Sequence, residues 1–332
     1  GANYCLGRIY QGGMALCLHN PSTGREIEQP HEIERTDAPR RVTVIGAGPA
    51  GLEAARVASA RGHVVILHEA APQPGGQIRL TAQTPRRREM LNLIQWRMDE
   101  CERQGVAFRF NSLADAETVL ADAPDAVIVA TGGLPHTEVL GEGNDLVVSA
   151  WDILSGDAGL GRNVLIYDDA GDYPALQAAE TLAAAGAKVE IVGRDRAIVP
   201  EVMAMSLTPS LRLLQELDVT FTPAWRLDAV RRDGNGLTAV LGSDYGPTRR
   251  ERSVDQVVVN HGTRPLDELY FELRPGSSNL GEVDYEALIA RRPQTVRRNP
   301  EGAYQLFRIG DAVSARNTHA AIYDALRLAR TL

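Results

Sequence analysis

Gly46-Ala47-Gly48-Pro49-Ala50-Gly51 carries the spacing G-x-G-x-x-G. It follows a β-branched run, Val42-Thr43-Val44-Ile45, and opens a stretch of helical composition from Ala50 to Arg61. The chemistry this spacing serves is the binding of a pyrophosphate. Gly46 permits the tight turn, Gly48 lets the backbone approach the phosphates, and Gly51 lets helix and strand pack closely. The helix start adds free N–H groups and a partial positive charge. A second β-branched run, Val64 to Leu67, ends in His68-Glu69 with Ala70 beyond, and Glu69 lies 23 residues after Gly46. A carboxylate there accepts hydrogen bonds from ribose hydroxyls, and it disfavours a 2′-phosphate.

Three further groups belong to the same chemistry. Pro74-Gly75-Gly76-Gln77 is small enough for backbone, and for Gln77, to pass close to a bound nucleotide. Ala130-Thr131-Gly132-Gly133 ends another apolar run, at the strand edge where ligands of open α/β sheets lie. Ile309-Gly310-Asp311 closes a late strand, and Asp311 is a candidate for ribityl or phosphate-side hydroxyls. The glycines and the acid serve FAD and ADP alike.

A second strand–turn–helix–strand repeats the pattern without its glycines. Asn163 to Tyr167, a turn, Pro174 to Ala185 and Lys188 to Val192 match the first copy closely in length. Alignment sets Asp168 against Gly46, Ala170 against Gly48 and Tyr173 against Gly51. Asp168 and Asp169 would face any bound pyrophosphate, and like charges about 4 Å apart cost roughly 4 kcal/mol at an effective dielectric near 20. This copy is expected to keep the Rossmann shape without holding NAD(P)H in the usual way. An unorthodox pose that uses Gly171 stays open.

The elements that position these residues alternate. Strand candidates at 126–130, 256–259 and 306–309 join those above, with helical stretches between several of them, which argues for parallel sheets. The expected fold is α/β, with two Rossmann-like domains of the FAD/NAD(P)-binding, glutathione-reductase type and the second inserted in the first. The expected division is 1–40, an irregular polar segment; 41–150 with 270–332, the nucleotide-binding domain; and 151–269, the degenerate domain.

Composition narrows the class. The 332 residues suffice for two domains. With 44% hydrophobic and 23% charged residues, sizeable cores are expected. A net charge of −8 argues against a nucleic-acid surface. No apolar run spans a bilayer, no signal peptide is visible, and a cytoplasmic location is expected. Lys188 is the only lysine, so individual arginines carry little weight. Cys5, Cys17 and Cys101 form no disulfide framework, and Cys101 reads as a packing residue.

The N-terminal segment sharpens the reading. Gly1-Ala2-Asn3-Tyr4-Cys5, eleven residues, Cys17, then Asn20-Pro21-Ser22-Thr23-Gly24-Arg25-Glu26, and finally the G-x-G-P-A-G motif, resembles the iron–sulfur and nucleotide segments of a flavoprotein family. That family includes trimethylamine dehydrogenase, histamine dehydrogenase, 2,4-dienoyl-CoA reductase and the N-methyl amino acid demethylases. The resemblance covers the whole chain. It implies an FMN-bearing barrel and a [4Fe–4S] cluster in the full-length enzyme, with this chain as the C-terminal part, and assigns Cys5 and Cys17 as metal ligands. Ala2 stands where another cluster cysteine belongs, so this chain alone is not expected to hold a cluster.

The lost second glycine motif places the chain with the amine dehydrogenases. The implied substrate is a methylated amine or N-methylated amino acid. The implied partners are the FMN barrel of the same polypeptide and an electron-transfer flavoprotein-like acceptor, with association into homo-oligomers left open. Two alternatives remain: an NAD(P)H-dependent flavin or enoate reductase, and a non-catalytic nucleotide-binding module. No catalytic set is visible in this chain. His261 and His319, after strand-end signals, and Arg86-Arg87-Arg88 are secondary candidates for contact with a cofactor or an acidic partner.

Overall fold

The computed structural model describes residues 3–332; Ala2, the departure from the cysteine pattern, lies outside them. The chain forms two compact units. One, here the nucleotide unit, comprises Ala15–Arg79, Glu89–Leu134 and Arg264–Leu332. The other, the inserted unit, comprises residues up to Met14, Leu80–Arg88 and Pro135–Thr263, so its main body interrupts the nucleotide unit.

The nucleotide unit is built on five parallel strands in the order Gln305–Arg308, Ala126–Val129, Arg41–Ile45, Val64–His68, Ala107–Arg109. The central strands are apolar because both faces are covered; all four residues of Ala126–Val129 are buried. The helix Pro49–Ala60 starts with proline, whose missing N–H costs nothing in a first turn. It buries Leu52, Ala54, Ala55, Val57 and Ala58 and packs on the helix Thr318–Ala329. One buried group breaks the apolar pattern. Glu53 and Arg97 are both fully buried and joined at 2.9 Å. Arg56 reaches the other Glu53 oxygen at 2.7 Å, and Arg97 also donates to the carbonyls of Leu93 and His19. Burial would raise the Glu53 pKa, but Arg97 and Arg56 outweigh it and hold the carboxyl below its usual range.

The inserted unit repeats the architecture. Its parallel sheet runs Val147–Ser149, Gln256–Asn260, Asn163–Asp168, Lys188–Gly193, Thr220–Pro223. The helix Tyr173–Ala184 packs over it through Ala175, Leu176, Ala179 and Leu182. The other face is covered by an antiparallel sheet, Arg226–Asp233, Gly236–Gly242 and Arg249–Val254. Leu227, Val230, Leu237 and Leu241 of that sheet meet Leu165, Tyr167, Val257 and Val259 of the parallel one. The sequence expectation of parallel sheets does not include these three strands. Arg226–Asp233 and Arg249–Val254 are rich in arginine and one-sided, so they give no continuous apolar run.

Candidate nucleotide site

In the nucleotide unit the strand Arg41–Ile45 lies between Ala126–Val129 and Val64–His68, and the chain leaves it on opposite sides in sequence order. This is the switch point of an open parallel sheet, where the crevice at the carboxyl ends receives a ligand. Gly46 adopts φ +102°, and a Cβ there would meet the Ala130 carbonyl oxygen at 2.4 Å. A Cβ on Gly51 would lie 1.8 Å from the Gly46 carbonyl oxygen. Strand and helix approach too closely there for any side chain. Gly48 differs: nothing lies within 4 Å of its added Cβ, and among the described residues no acceptor stands on its N–H. It caps the helix Pro49–Ala60 without a side chain. Space, a free N–H and a helix start coincide at Gly48, as a phosphate requires.

The other sequence-expected residues gather around this loop. Glu69 Oε2 accepts the Ala47 N–H at 2.6 Å and Oε1 accepts the Ala71 N–H at 2.8 Å. The carboxylate braces the glycine loop first, and each oxygen keeps a lone pair for a ribose hydroxyl. Ala70 is exposed beside it. The Gly75 N–H donates to the Ala47 carbonyl at 2.8 Å, and a Cβ on Gly76 would stand 3.5 Å from the Gly48 Cα. Gln77 Nε2 donates to Asp311 Oδ2 at 3.0 Å and lies 3.9 Å from where a Gly132 Cβ would be. Ala130 is buried, and Thr131 Oγ1 donates to the Leu266 carbonyl. Burial raises the Asp311 pKa, against the pull of the Arg316 N–H and the Gln77 amide. Six separate stretches of sequence thus meet at one sheet edge.

Of the two candidate metal ligands, Cys5 is exposed on the helix Tyr4–Tyr10 and is grouped with the inserted unit, and Cys17 belongs to the nucleotide unit. Cys17 Sγ accepts the Asn20 N–H at 3.4 Å. Its carbonyl accepts His319 Nδ1–H at 2.9 Å, while His319 Nε2 meets Arg25 at 3.1 Å. Because arginine only donates and a carbonyl only accepts, His319 is the neutral Nδ1–H tautomer in this arrangement. His319 thus holds the turn that carries Cys17, and the sequence alone does not show this pairing. Cys101 is buried, with its thiol pushed up to about 12 by burial. Among the described residues no group of three His, Cys, Asp or Glu side chains is arranged to hold a metal. An iron–sulfur cluster needs four thiolates, so the residues of this chain do not fit a complete one.

In the inserted unit the secondary candidates find local partners. His261 Nδ1 meets Asp169 at 3.2 Å and its ring packs edge-on to Tyr167. Arg87 stacks over the Tyr173 ring at 4.2 Å, and Arg86 donates to the Pro209 carbonyl. The turn also differs from the alignment by sequence. Asp168 to the helix start at Tyr173 takes five steps, where Gly46 to Pro49 takes three. Tyr173 therefore opens its helix and does not occupy the place of Gly51.

A parallel sheet with a glycine loop, an acid just beyond the next strand and a repeated Rossmann unit inserted in the chain define a two-Rossmann fold. The chain belongs to the pyridine nucleotide-disulphide oxidoreductase family, whose model matches residues 40–323. It is 66% identical over 332 residues to the "Probable N-methylproline demethylase" of Rhizobium meliloti (strain 1021), covering 100% of this chain and 49% of that protein. It is 45% identical over 343 residues to the N,N-dimethylglycine/sarcosine dehydrogenase of Chromohalobacter salexigens, covering 99% and 49%. Histamine dehydrogenase from Rhizobium sp. 4-9 superimposes with a TM-score of 0.82 at 25% identity, over 99% of this chain and 50% of that one. The chain spans about half the length of the curated relatives it matches. No helix among the described residues is long and apolar enough to cross a membrane.

Proposed function

We propose that this chain is the nucleotide-binding part of a flavin-dependent amine dehydrogenase or N-demethylase, holding FAD or ADP in the nucleotide unit. One observation carries the site: the open Gly48 N–H at a helix start, without an acceptor among the described residues, on a loop that Glu69 braces. Gly46 to Gly51 would hold the pyrophosphate, Glu69 the adenosine ribose, and Gln77 with Asp311 the far side. The names and identities of the relatives support an N-methylated amino acid or methylated amine as the substrate of the whole protein. A bound flavin would accept the hydride lost from the N-methyl carbon. In this reading the residues of this chain contribute binding and orientation. A protein acceptor of the electron-transfer flavoprotein kind remains the favoured partner.

The test is to purify the protein, record its visible spectrum, denature it and identify the released nucleotide by mass spectrometry. A flavin spectrum with released FAD is expected if the far side of the site is filled. Colourless chain releasing ADP supports the same site with only its adenosine half in use. Chain that releases no nucleotide and binds neither added FAD nor ADP would overturn the reading.

A further inference from the structure

The carboxyl ends of three neighbouring strands of the nucleotide unit lie in a row: Arg41–Ile45, Val64–His68 and Ala107–Arg109. The glycine loop stands beyond the first and Glu69 beyond the second. Ser112 stands beyond the third. Its N–H donates to the Glu69 carbonyl at 2.9 Å, and the Asn111 N–H donates to the Ala71 carbonyl at 3.2 Å. Two strand spacings, about 10 Å, separate the first end from the third, which is the reach from a pyrophosphate through its ribose to the base. Leu113, next in the chain, is 87% exposed and offers an apolar side chain to the face of a base.

Behind Ser112 runs a buried line of hydrogen bonds. Ser112 Oγ meets His68 Nδ1 at 2.9 Å, and His68 Nε2 meets Asp122 Oδ2 at 2.8 Å. The His68 and Asp122 side chains are 0% and 2% exposed, whereas Ser112 is half-buried. Asp122 also takes Arg109 on Oδ1 at 2.6 Å and the Thr43 hydroxyl on Oδ2 at 3.3 Å. The polarity of the line follows from its end. A carboxylate only accepts, so His68 carries its proton on Nε2. Arg109 already supplies the counter-charge of Asp122, so the line balances with a neutral ring whose Nδ1 accepts. Ser112 must then give its one proton to His68. Its hydroxyl has only lone pairs left to offer outward.

We propose that Ser112 reads the exocyclic amino group of the adenine, and that Asp122, acting through His68, holds the Ser112 hydroxyl as an acceptor for it. The inference rests on the nucleotide reading of this unit and adds what selects the base. Adenine turns an amino N–H to that place, whereas hypoxanthine and guanine turn a carbonyl oxygen. Two facing acceptors make no bond and leave both desolvated. Ser112 touches the base, while His68 and Asp122 are positioning residues. The strand ends do not depend on this side-chain line. The Gly46 N–H donates to the His68 carbonyl at 2.8 Å and the Glu69 N–H to the Arg109 carbonyl at 2.9 Å, and these backbone bonds already fix them.

The experiment titrates ADP and inosine diphosphate, in which a carbonyl replaces the amino group, into the nucleotide-free full-length protein and two variants by calorimetry. Wild type is expected to bind ADP at least about tenfold tighter than inosine diphosphate. Ser112→Ala should narrow that preference to less than about threefold. Asp122→Asn keeps shape but turns an amide N–H to His68 Nε2. His68 then carries its proton on Nδ1 and donates to Ser112, whose own proton turns outward to the carbonyl of inosine. The preference should vanish or reverse in favour of inosine diphosphate. A merely structural role would weaken both nucleotides alike and leave their ratio at the wild-type value in both variants. That outcome overturns the proposal, as does a wild type that binds the two within about threefold. Should Asp122→Asn not fold, Ser112→Thr decides beside Ser112→Ala: a preference that returns with the threonine hydroxyl supports the proposal, and one that does not overturns it. Wild type that binds neither nucleotide overturns the nucleotide reading itself, and this inference with it.

Discussion

The two Rossmann units share the order of four of their five parallel strands, a switch point and a left-handed glycine beyond the neighbouring strand, Gly132 in one and Gly262 in the other. They differ in what occupies the turn. The nucleotide unit leaves Gly48 open and uses Glu69 to brace the loop from outside. The inserted unit spends its loop N–H groups on Asn260 and Asp168 and lengthens the turn by two residues. The difference teaches that a Rossmann shape is retained by its apolar strands and helix packing, whereas ligand binding depends on a handful of turn residues that can be replaced without disturbing that packing.

The most damaging way to break the comparison is Gly51→Val. With 1.8 Å between the added Cβ and the Gly46 carbonyl, helix and strand must separate. We expect a loss of more than about 3 kcal/mol in stability and of bound nucleotide, read by calorimetry and mass spectrometry. Tyr173→Ala, at the helix start of the other unit, should leave the nucleotide content unchanged.

Arg97→Met tests the buried ion pair that only the nucleotide unit has. It strands Glu53 with Arg56 alone and should cost about 3–5 kcal/mol in chemical denaturation. The triple change Glu53→Leu, Arg56→Met and Arg97→Met should cost less than Arg97→Met by itself, because none of the three charges that pair in this cluster is then left without its partner.

Glu69→Ala removes the brace from the glycine loop and a ribose acceptor together. We expect nucleotide affinity to fall by about tenfold to a hundredfold, on the order of 1.5–3 kcal/mol, in a titration of the nucleotide-free protein. An unchanged affinity would remove Glu69 from the site.

The smallest effects are on pH dependence, and they have opposite signs in the two units. His63 is held down to about 4 by burial and then by Arg61 and Arg40, while its Nδ1 accepts the Arg40 N–H. The unfolded chain takes up a proton near pH 6.5 that the folded one refuses. The nucleotide unit should therefore lose stability as pH falls from 6.5 toward 4, and His63→Gln should flatten that limb. Asp168, pushed up by burial, works the other way. The folded chain keeps a proton that the unfolded chain releases near pH 4, so stability falls as pH rises from there to about 7. Melting curves over pH 4–8 on wild type, His63→Gln and Asp168→Asn check both signs.

Much of this was legible in the residues. Strands such as Val42–Ile45 and Ala126–Val129 are continuous apolar runs because both sheet faces are covered, and glycines at 46, 48 and 51 have no other economical use at that spacing. The sequence also showed that the second copy had lost its glycines. It did not show the longer turn before Tyr173, since an insertion of two residues leaves no mark on periodicity. It also passed over Asn260, whose role requires a strand 92 residues away from Asp168 to lie beside it.

By itself, then, the sequence determined the two Rossmann folds and which one keeps a glycine loop, because those follow from local periodicity and from glycine's freedom at a turn. Tertiary structure alone decided which polar groups meet: Gln77 with Asp311, Glu53 with Arg97, His319 with Cys17, and Asn260 with Asp168 and Asp172. Such pairings depend on which strand ends and helices are brought together, and a buried polar group is stable only where its partner has arrived with it.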